Sequence, residues 1–418
     1  MKLLENDNNM MRIGEIGVYI YTFSLMISKA GINIGLFLML LGFIGVFLKK
    51  KALYLEKEEK VFILFFLMMP IFSFLSPGGF KSFCIELQKT YRYLGIFLIP
   101  LFIVNKNMLK KLSIILSVEL IINFVNAMRI YKSLNWNLWY RYSSFGGNTL
   151  NEAHMLAMLS MFMFVMFVYS LKDSKNLIKI LRLFIFLLSV VALIMSKGRG
   201  AWLAAIAGFI IILLLFMKEN KKIIVVCFII ICGFIGISKV ESFQNNQYVQ
   251  RIKSITDTDN DASNKIRLLM WEGAINIYKK HPVFGVGRDS SPQYYLDYFE
   301  KNDSYSELGY REGLEHIAKA GNAHNMYFTS LAESGLMLIY FVGMFTYIFY
   351  KEILLYLKSK DDNFIHLLIL GLIGMLVAFC VGGLTENSWQ DIWKSSMVCW
   401  SIGIYLGIKK NILKIEEK

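Results

Sequence analysis

Apolar runs, most about 17–25 residues long, recur from Ile13 to Ile408, and short charged tracts separate them. A run of that length crosses a hydrocarbon layer roughly 30 Å thick as an α-helix, which satisfies its own backbone polar groups there. The pattern predicts twelve such helices, near 13–29, 31–48, 61–75, 89–104, 112–128, 153–171, 181–196, 201–217, 223–238, 326–350, 364–383 and 396–408. One long segment interrupts them. Within 239–323, QNNQYVQRIKSI and NKIRLLMWEGAINIYKK carry helical spacing, and TDTDNDAS between them reads as a turn. The expected fold is an all-α polytopic membrane protein of about 12 transmembrane helices with a large helical loop between spans 9 and 10. Its expected parts are 1–238 (helices 1–9), 239–323 (the loop domain) and 324–418 (helices 10–12 and a tail).

Composition agrees with that pattern: 56% of the 418 residues are hydrophobic and only 18% charged, far from a soluble average. A formal charge of +14 would suit a nucleic-acid binder, but most of the Lys and Arg sit in short tracts between apolar runs. KKKALYLEKEEK, NKNMLKK, KDSKNLIKILR, KENKK, KEILLYLKSK and the tail KKNILKIEEK fall in every second loop, as the positive-inside rule requires. Both termini are then expected in the cytoplasm, with membrane lipids and not nucleic acid as partners. The N-terminus carries acids and lacks a small-residue cleavage site, so the first span is expected to stay as an anchor. Five cysteines, four of them in or at the ends of apolar runs, suggest neither a disulfide framework nor a metal site.

Topology explains lysines on the inside but not basic residues on the outside. Arg199 lies in KGRG, a tight outer turn, beside Lys197. Glycine on either side lets another group approach closely, and a guanidinium grips phosphate with a fork of hydrogen bonds. Alternatively, Arg199 snorkels to lipid headgroups or pairs with a loop carboxylate. The long loop is asymmetric: 239–288 holds eight basic residues against five acids, and 289–323 three against seven. Its anion-friendly half includes Arg267, near Lys265 and Trp271 on a helix, and Arg288 after the turn HPVFGVG. GVG lacks the third glycine and preceding strand of a dinucleotide fingerprint, so Arg288 is either a presented anion ligand or solvated after a helix stop.

Of five histidines, packing or solvation accounts for His154, His281, His316 and His366. His324, in GNAHNMYFTSLAESG, falls at the outer N-terminal end of a helix. Free amides and the helix dipole there favour a neutral imidazole, which can accept a proton. Asn322 or Asn325 would cap the helix or orient a hydroxyl substrate; an interfacial polar cap is the plainer reading of the whole group. Glu333, about 13 Å further along the same predicted helix, is a poor partner for His324 and is expected to pair within the protein. Glu386, in LTENSWQDIWKS, is placed to hold either an arginine or the base. No HExxH or Walker pattern is present, so no metal or other cofactor is expected.

SKGRGAWLA, RLLMWEGAINIYKKHPVFGVGRD and AHNMYFTSLAESGLM, in this order within a many-span frame, resemble the O-antigen ligase and polymerase superfamily of bacterial envelope proteins. HN followed after nine residues by Gly335 is similar to the ligase pattern, although Leu338 stands where a second glycine is usual. The resemblance implies an inner-membrane, metal-independent, inverting glycosyltransferase of lipopolysaccharide biosynthesis with its active site on the periplasmic side. Its donor would be a glycan on undecaprenyl pyrophosphate and its acceptor a lipid A core oligosaccharide, or a second lipid-linked glycan in a polymerase. By motif match His324 would be the general base, and Arg199 and Arg288 would hold the pyrophosphate with Lys197 or Arg267; Asn325 and Glu386 would support. A flippase or other transporter is disfavoured, because the unexplained basic residues gather on one side and few charges occur at mid-membrane depth.

Overall fold

The computed structural model describes residues 2–50, 55–137, 139–173, 175–217, 247–255, 257, 261–302, 315–316, 318–319 and 321–413. They form α-helices joined by turns, with no strand among the described residues. Helix α1 (Lys2–Phe23) packs along α2 (Lys29–Lys50). Next come α3 (Lys57–Leu75), α4 (Gly79–Thr90), a 3-10 turn (Tyr91–Leu94), α5 (Gly95–Phe102) and α6 (Lys106–Ser133). Then follow α7 (Thr149–Asp173), α8 (Asn176–Met195) and α9 (Arg199–Met217). In the long segment lie α10 (Gln247–Lys253), α11 (Ala262–Lys280) and α12 (Ser291–Lys301). The chain closes with α13 (Met326–Ser334), α14 (Met337–Lys358), α15 (Asn363–Gly382) and α16 (Ile392–Gly407).

Six of these helices are long and apolar enough to cross a membrane: α2, α7, α8, α9, α14 and α15. This is a membrane protein, and burial sorts its helices by what they touch. Helix α15, apolar on every side, is buried almost throughout and packs against α7, α9, α14 and α16. Helix α8 instead turns Leu177, Ile180, Phe184 and Leu187 outward, as a helix in contact with lipid acyl chains does. The expected span 223–238 lies outside the described residues. That over 89–104 is the 3-10 turn and short α5, continuing from α4. Both helices expected in the long segment form, as α10 and α11.

The single helix expected over 326–350 is two. Helix α13 ends at Ser334, and α14 starts at Met337. Gly335 sits between them with φ of 56°, and a Cβ there would lie 2.5 Å from Pro282 O. The GVG turn wedges against this break: Val286 N donates to Ala332 O, Gly287 N to Glu333 O, and Leu336 N to Val283 O. The glycine at the end of the HN-x9-G spacing therefore permits a close backbone crossing that locks the C-terminal end of α13.

The bundle has two polar ends. At one, Lys106 pairs with Asp362, and Lys409 and Lys410 at the end of α16 pair with Glu56, Glu58 and Glu59 around the start of α3. At the other, Tyr142 N donates to Met195 O and Asn151 to Asp391. His324 belongs to this second end, because Met326 N donates to Gly383 O at the end of α15.

Candidate active site

His324 is placed by the residues around it. Its backbone N–H donates to Asn322 Oδ1 at 2.7 Å, and its φ of 48° turns the chain sharply before α13. Asn325 caps α13: its Oδ1 accepts from Tyr327 N and Phe328 N, and its Nδ2 donates to Leu384 O. Asn325 thereby ties the helix to the 383–390 turn. The imidazole remains about 30% exposed.

Glu386, on that turn, reaches back to His324, with Oε1 3.5 Å from Nδ1. Neither atom has a hydrogen bond of good geometry among the described residues, so this is a contact poised to tighten. Behind it, Lys394 on the first turn of α16 lies with Nζ 3.9 Å from Glu386 Oε2, and it is almost wholly buried. Burial by itself works to raise the Glu386 pKa, but His324 and Lys394 outweigh it and hold the carboxyl down to about 2. His154 on α7 is buried beneath the same turn against Gly382 and feels the charges of Lys394, Glu386 and Arg267.

Arg267 arrives from the long segment. Four residues further along α11, Trp271 donates its indole N–H to Ala323 O at 3.0 Å and stacks on Phe328, with centroids 5.2 Å apart. A four-residue spacing puts Arg267 on the same face, one turn nearer the start of α11. There it interacts electrostatically with Glu386, Arg199 and Asp261. Among the described residues its guanidinium has no hydrogen-bond partner, and its Nε is buried. Burial lowers its pKa, and Glu386 works against that fall.

Arg199 opens α9, where Gly200 lies so close to Thr385 that a Cβ would collide with its hydroxyl. Its guanidinium forks onto Asp261, at 2.7 and 3.1 Å, and also donates to Ser254 O and Oγ. Burial would raise the Asp261 carboxyl, and the bonds from Arg199 and Asn264 N–H hold it below its usual range. Arg199 thus pairs with a loop carboxylate, the alternative its sequence left open. This pair fastens the start of α11 to the membrane helices. Lys197, in the same turn, is buried with a φ of 52°.

Arg288 is held apart from this group. It is almost fully buried, with NH1 3.5 Å from Glu86, and Nε 3.6 Å from Asp289 and 3.9 Å from Glu333. Burial favours the neutral form, but Glu86 and then Glu333 more than offset it and lift the pKa above the usual range. Glu333 also accepts from Asp289 N and Gln390 Nε2, so it pairs within the protein as expected. Beside Arg288 is a cavity of about 10 Å³ bounded by Phe65, Met69, Phe341, Trp389 and Gln390, room for about one water. The structure gives Arg288 three carboxylates, and through Glu86 and Glu333 it joins α4 to α13.

The sequence motifs thus bring together His324, Glu386, Arg267 and Arg199, and add Lys394 and His154, which sequence reasoning passed over. Lys394 carried the same signal as Arg199: a basic residue on the side where topology does not call for one. His154 carried none, since it enters an apolar helix and only the fold sets it under Glu386. No group of His, Cys, Asp and Glu suited to a metal occurs among the described residues. The arrangement can orient an imidazole through one nitrogen and hold an anion beside it. The chain matches no curated protein. Residues 184–348, which hold both arginines of the cluster and His324, match the family model described as O-Antigen ligase.

Proposed function

We propose that the protein transfers a glycan from an undecaprenyl-pyrophosphate donor to a hydroxyl of a lipid A core oligosaccharide, with His324 as general base. The observation that carries this reading is the contact of Glu386 with His324 Nδ1 near Arg267, whose Nε has no hydrogen-bond partner among the described residues. With Nδ1 turned to the carboxylate, Nε2 is the nitrogen left to take the acceptor's proton. The acceptor oxygen then forms a bond to the anomeric carbon while that carbon's bond to the pyrophosphate breaks, and the electron pair leaves with the lipid pyrophosphate. Attack from the side opposite the leaving group inverts the anomeric centre. Arg267 meets the charge that grows on the leaving pyrophosphate, and Arg199 joins it where phosphate oxygens displace Asp261. Lys197 adds charge to the same turn, and Arg288 supports the framework. Lys394 and His154 stand behind Glu386 and fix its position. The site faces the periplasm, with the 239–323 segment over the glycan and both termini in the cytoplasm.

Polymerase chemistry differs only in the acceptor, and the departure at Leu338 favours testing it directly. Leu338 lies in the first turn of α14, outside the crossing that requires Gly335. Purified protein is supplied with lipid-linked glycan, with and without lipid A core, and the products are separated on a gel. Core-linked glycan is expected; longer lipid-linked glycan would make it a polymerase, and no product from either would sink the transferase reading. His324→Ala should slow transfer by about 10²–10⁴-fold, the usual worth of a general base, with donor binding retained.

A further inference from the structure

Two contacts in a row reach His324. Glu386 Oε1 stands 3.5 Å from its Nδ1, and Lys394 Nζ stands 3.9 Å from the other oxygen of the same carboxylate. Lys394 is only 2% exposed, and among the described residues Glu386 is the one carboxylate within ion-pair distance of it. A lysine is seldom buried without a close partner, and this one has a single long contact. Helix α16 sets its place: Asp391 Oδ1 caps that helix by accepting from Trp393 N and Lys394 N, and Asp391 Oδ2 accepts from Asn151 on α7. The ammonium is thereby brought from the first turn of α16 to the back of Glu386.

The other charges around this turn are arranged differently. Lys29 lies over the Trp393 ring, 5.7 Å from its centroid, and Arg92 donates to Gln390 O at 3.2 Å, so both meet other residues of the segment. His154 on α7 and Arg267 on α11 feel the charge of Glu386. Helices α5 and α15, which also pack against α16, carry no Asp, Glu, Lys or Arg. Lys394 is thus the cation that extends the His324–Glu386 contact. A carboxylate alone against an imidazole favours the protonated ring. That helps the ring take a proton and hinders it from giving the proton up, and a base that works turnover after turnover has to do both. A positive charge behind the carboxylate weakens its pull on the ring and keeps it ionised: against burial, His324 and then Lys394 hold the Glu386 carboxyl down to about 2.

We propose that Lys394 is a positioning residue that acts through Glu386 and sets how firmly His324 keeps the proton it takes from the acceptor hydroxyl, so that the ring releases it to water between turnovers. The role rests on the glycosyl-transfer reading, but its first test needs no turnover. Diethyl pyrocarbonate acylates neutral imidazole and spares the protonated ring, and the part-exposed His324 is open to it. Detergent-purified protein is treated across about pH 5 to 8, and the label on the His324 peptide is followed by mass spectrometry. Lys394→Met should move the midpoint of labelling upward by about one pH unit, the scale of a unit charge roughly 6–9 Å away at an effective dielectric of about 20, reduced by solvent at the ring. Lys394→Arg should stay near wild type, and Glu386→Gln should move the midpoint downward. Should Lys394→Met not fold, Lys394→Gln carries the same expectation with a side chain that can still bond to Glu386. In transfer assays the acid limb of kcat should follow the labelling midpoint while the KM for donor stays unchanged; a purely structural lysine would lower activity evenly across pH. An unmoved midpoint in the neutral variants, or an equal shift in Lys394→Arg, would overturn the proposal. Shifted labelling in a protein that transfers no glycan would fell the transferase reading and leave the coupling of Lys394 to His324 standing.

Discussion

Helix α16, together with the π-helical turn Ile408–Ile412 that follows it, has a buried lysine cluster at each end, and the two are built on opposite terms. At its C-terminal end Lys409 meets Glu58 at 2.9 Å and Glu56 at 3.0 Å, Lys410 meets Glu59 at 2.5 Å, and Tyr405 donates to Glu58. At its N-terminal end Lys394 stands 3.9 Å from Glu386, which is 3.5 Å from His324, and Arg267 has no hydrogen-bond partner among the described residues. The close pairs at the C-terminal end match each buried charge, and leaving one unmatched is expensive. The long contacts and surplus positive charge around Glu386 leave room for an anion and a proton transfer. Both clusters are buried and conspicuous; only the second is incomplete.

Breaking one member of each cluster separates the two designs. Lys409→Met strands Glu58 and should cost about 3–5 kcal/mol of stability, read as a large drop in detergent melting temperature, while turnover per folded molecule is kept. Adding Glu58→Leu should recover much of that loss; if it does not, the network does more than balance charge. Glu386→Gln keeps shape but removes the charge that orients His324, and should lower kcat by about 10–100-fold with little change in donor affinity. Arg267→Gln should instead weaken donor binding by about tenfold, the scale of one charge-assisted hydrogen bond, whereas Arg288→Gln should act mainly on stability. Equal effects of the two arginine variants on donor binding would break the division drawn between them.

The smallest effect is one of pH. Glu386 is held down to about 2 in the folded protein, below the ordinary range of a free glutamate. The unfolded chain therefore takes up the proton first as pH falls. The stability from Glu386 is fully present above about pH 4.5 and is lost as pH drops toward 2. Its upper size is about 3 kcal/mol, from roughly 1.4 kcal/mol for each tenfold difference in proton affinity between the folded and unfolded chain. Melting of wild type and Glu386→Gln should differ at pH 6 and converge as pH falls to about 2; a constant gap would mean that the variant's defect is packing.

The sequence made the membrane class, most helices and the motif residues legible, because hydrophobic length and charge placement are local properties. It misled at 326–350, where a continuous apolar pattern hid a break that shows only when the 282–287 turn crosses Gly335. It left the surroundings of two arginines unread for a similar reason. Arg288, after a glycine turn, looked presented to solvent, but Glu86 comes from more than 200 residues away to bury it. Arg267, inside a helix, looked secondary until the Trp271 bond to Ala323 placed it. Glu386 was noticed with two possible partners, and only the fold of the 383–390 turn chose His324.

Helix α16 also fixes a depth. Lys394 and Lys409 are fifteen residues apart, about 23 Å along a helix, less than the roughly 30 Å thickness of the hydrocarbon layer. Were Lys409 level with the headgroups of one leaflet, Lys394 and the Glu386 beside it would stand below those of the other. The chemistry would then take place at the floor of a wet depression in the membrane surface. A lipid-borne pyrophosphate would reach it by sinking slightly from its own layer, while a water-soluble sugar phosphate would have to descend from bulk solvent without an anchor.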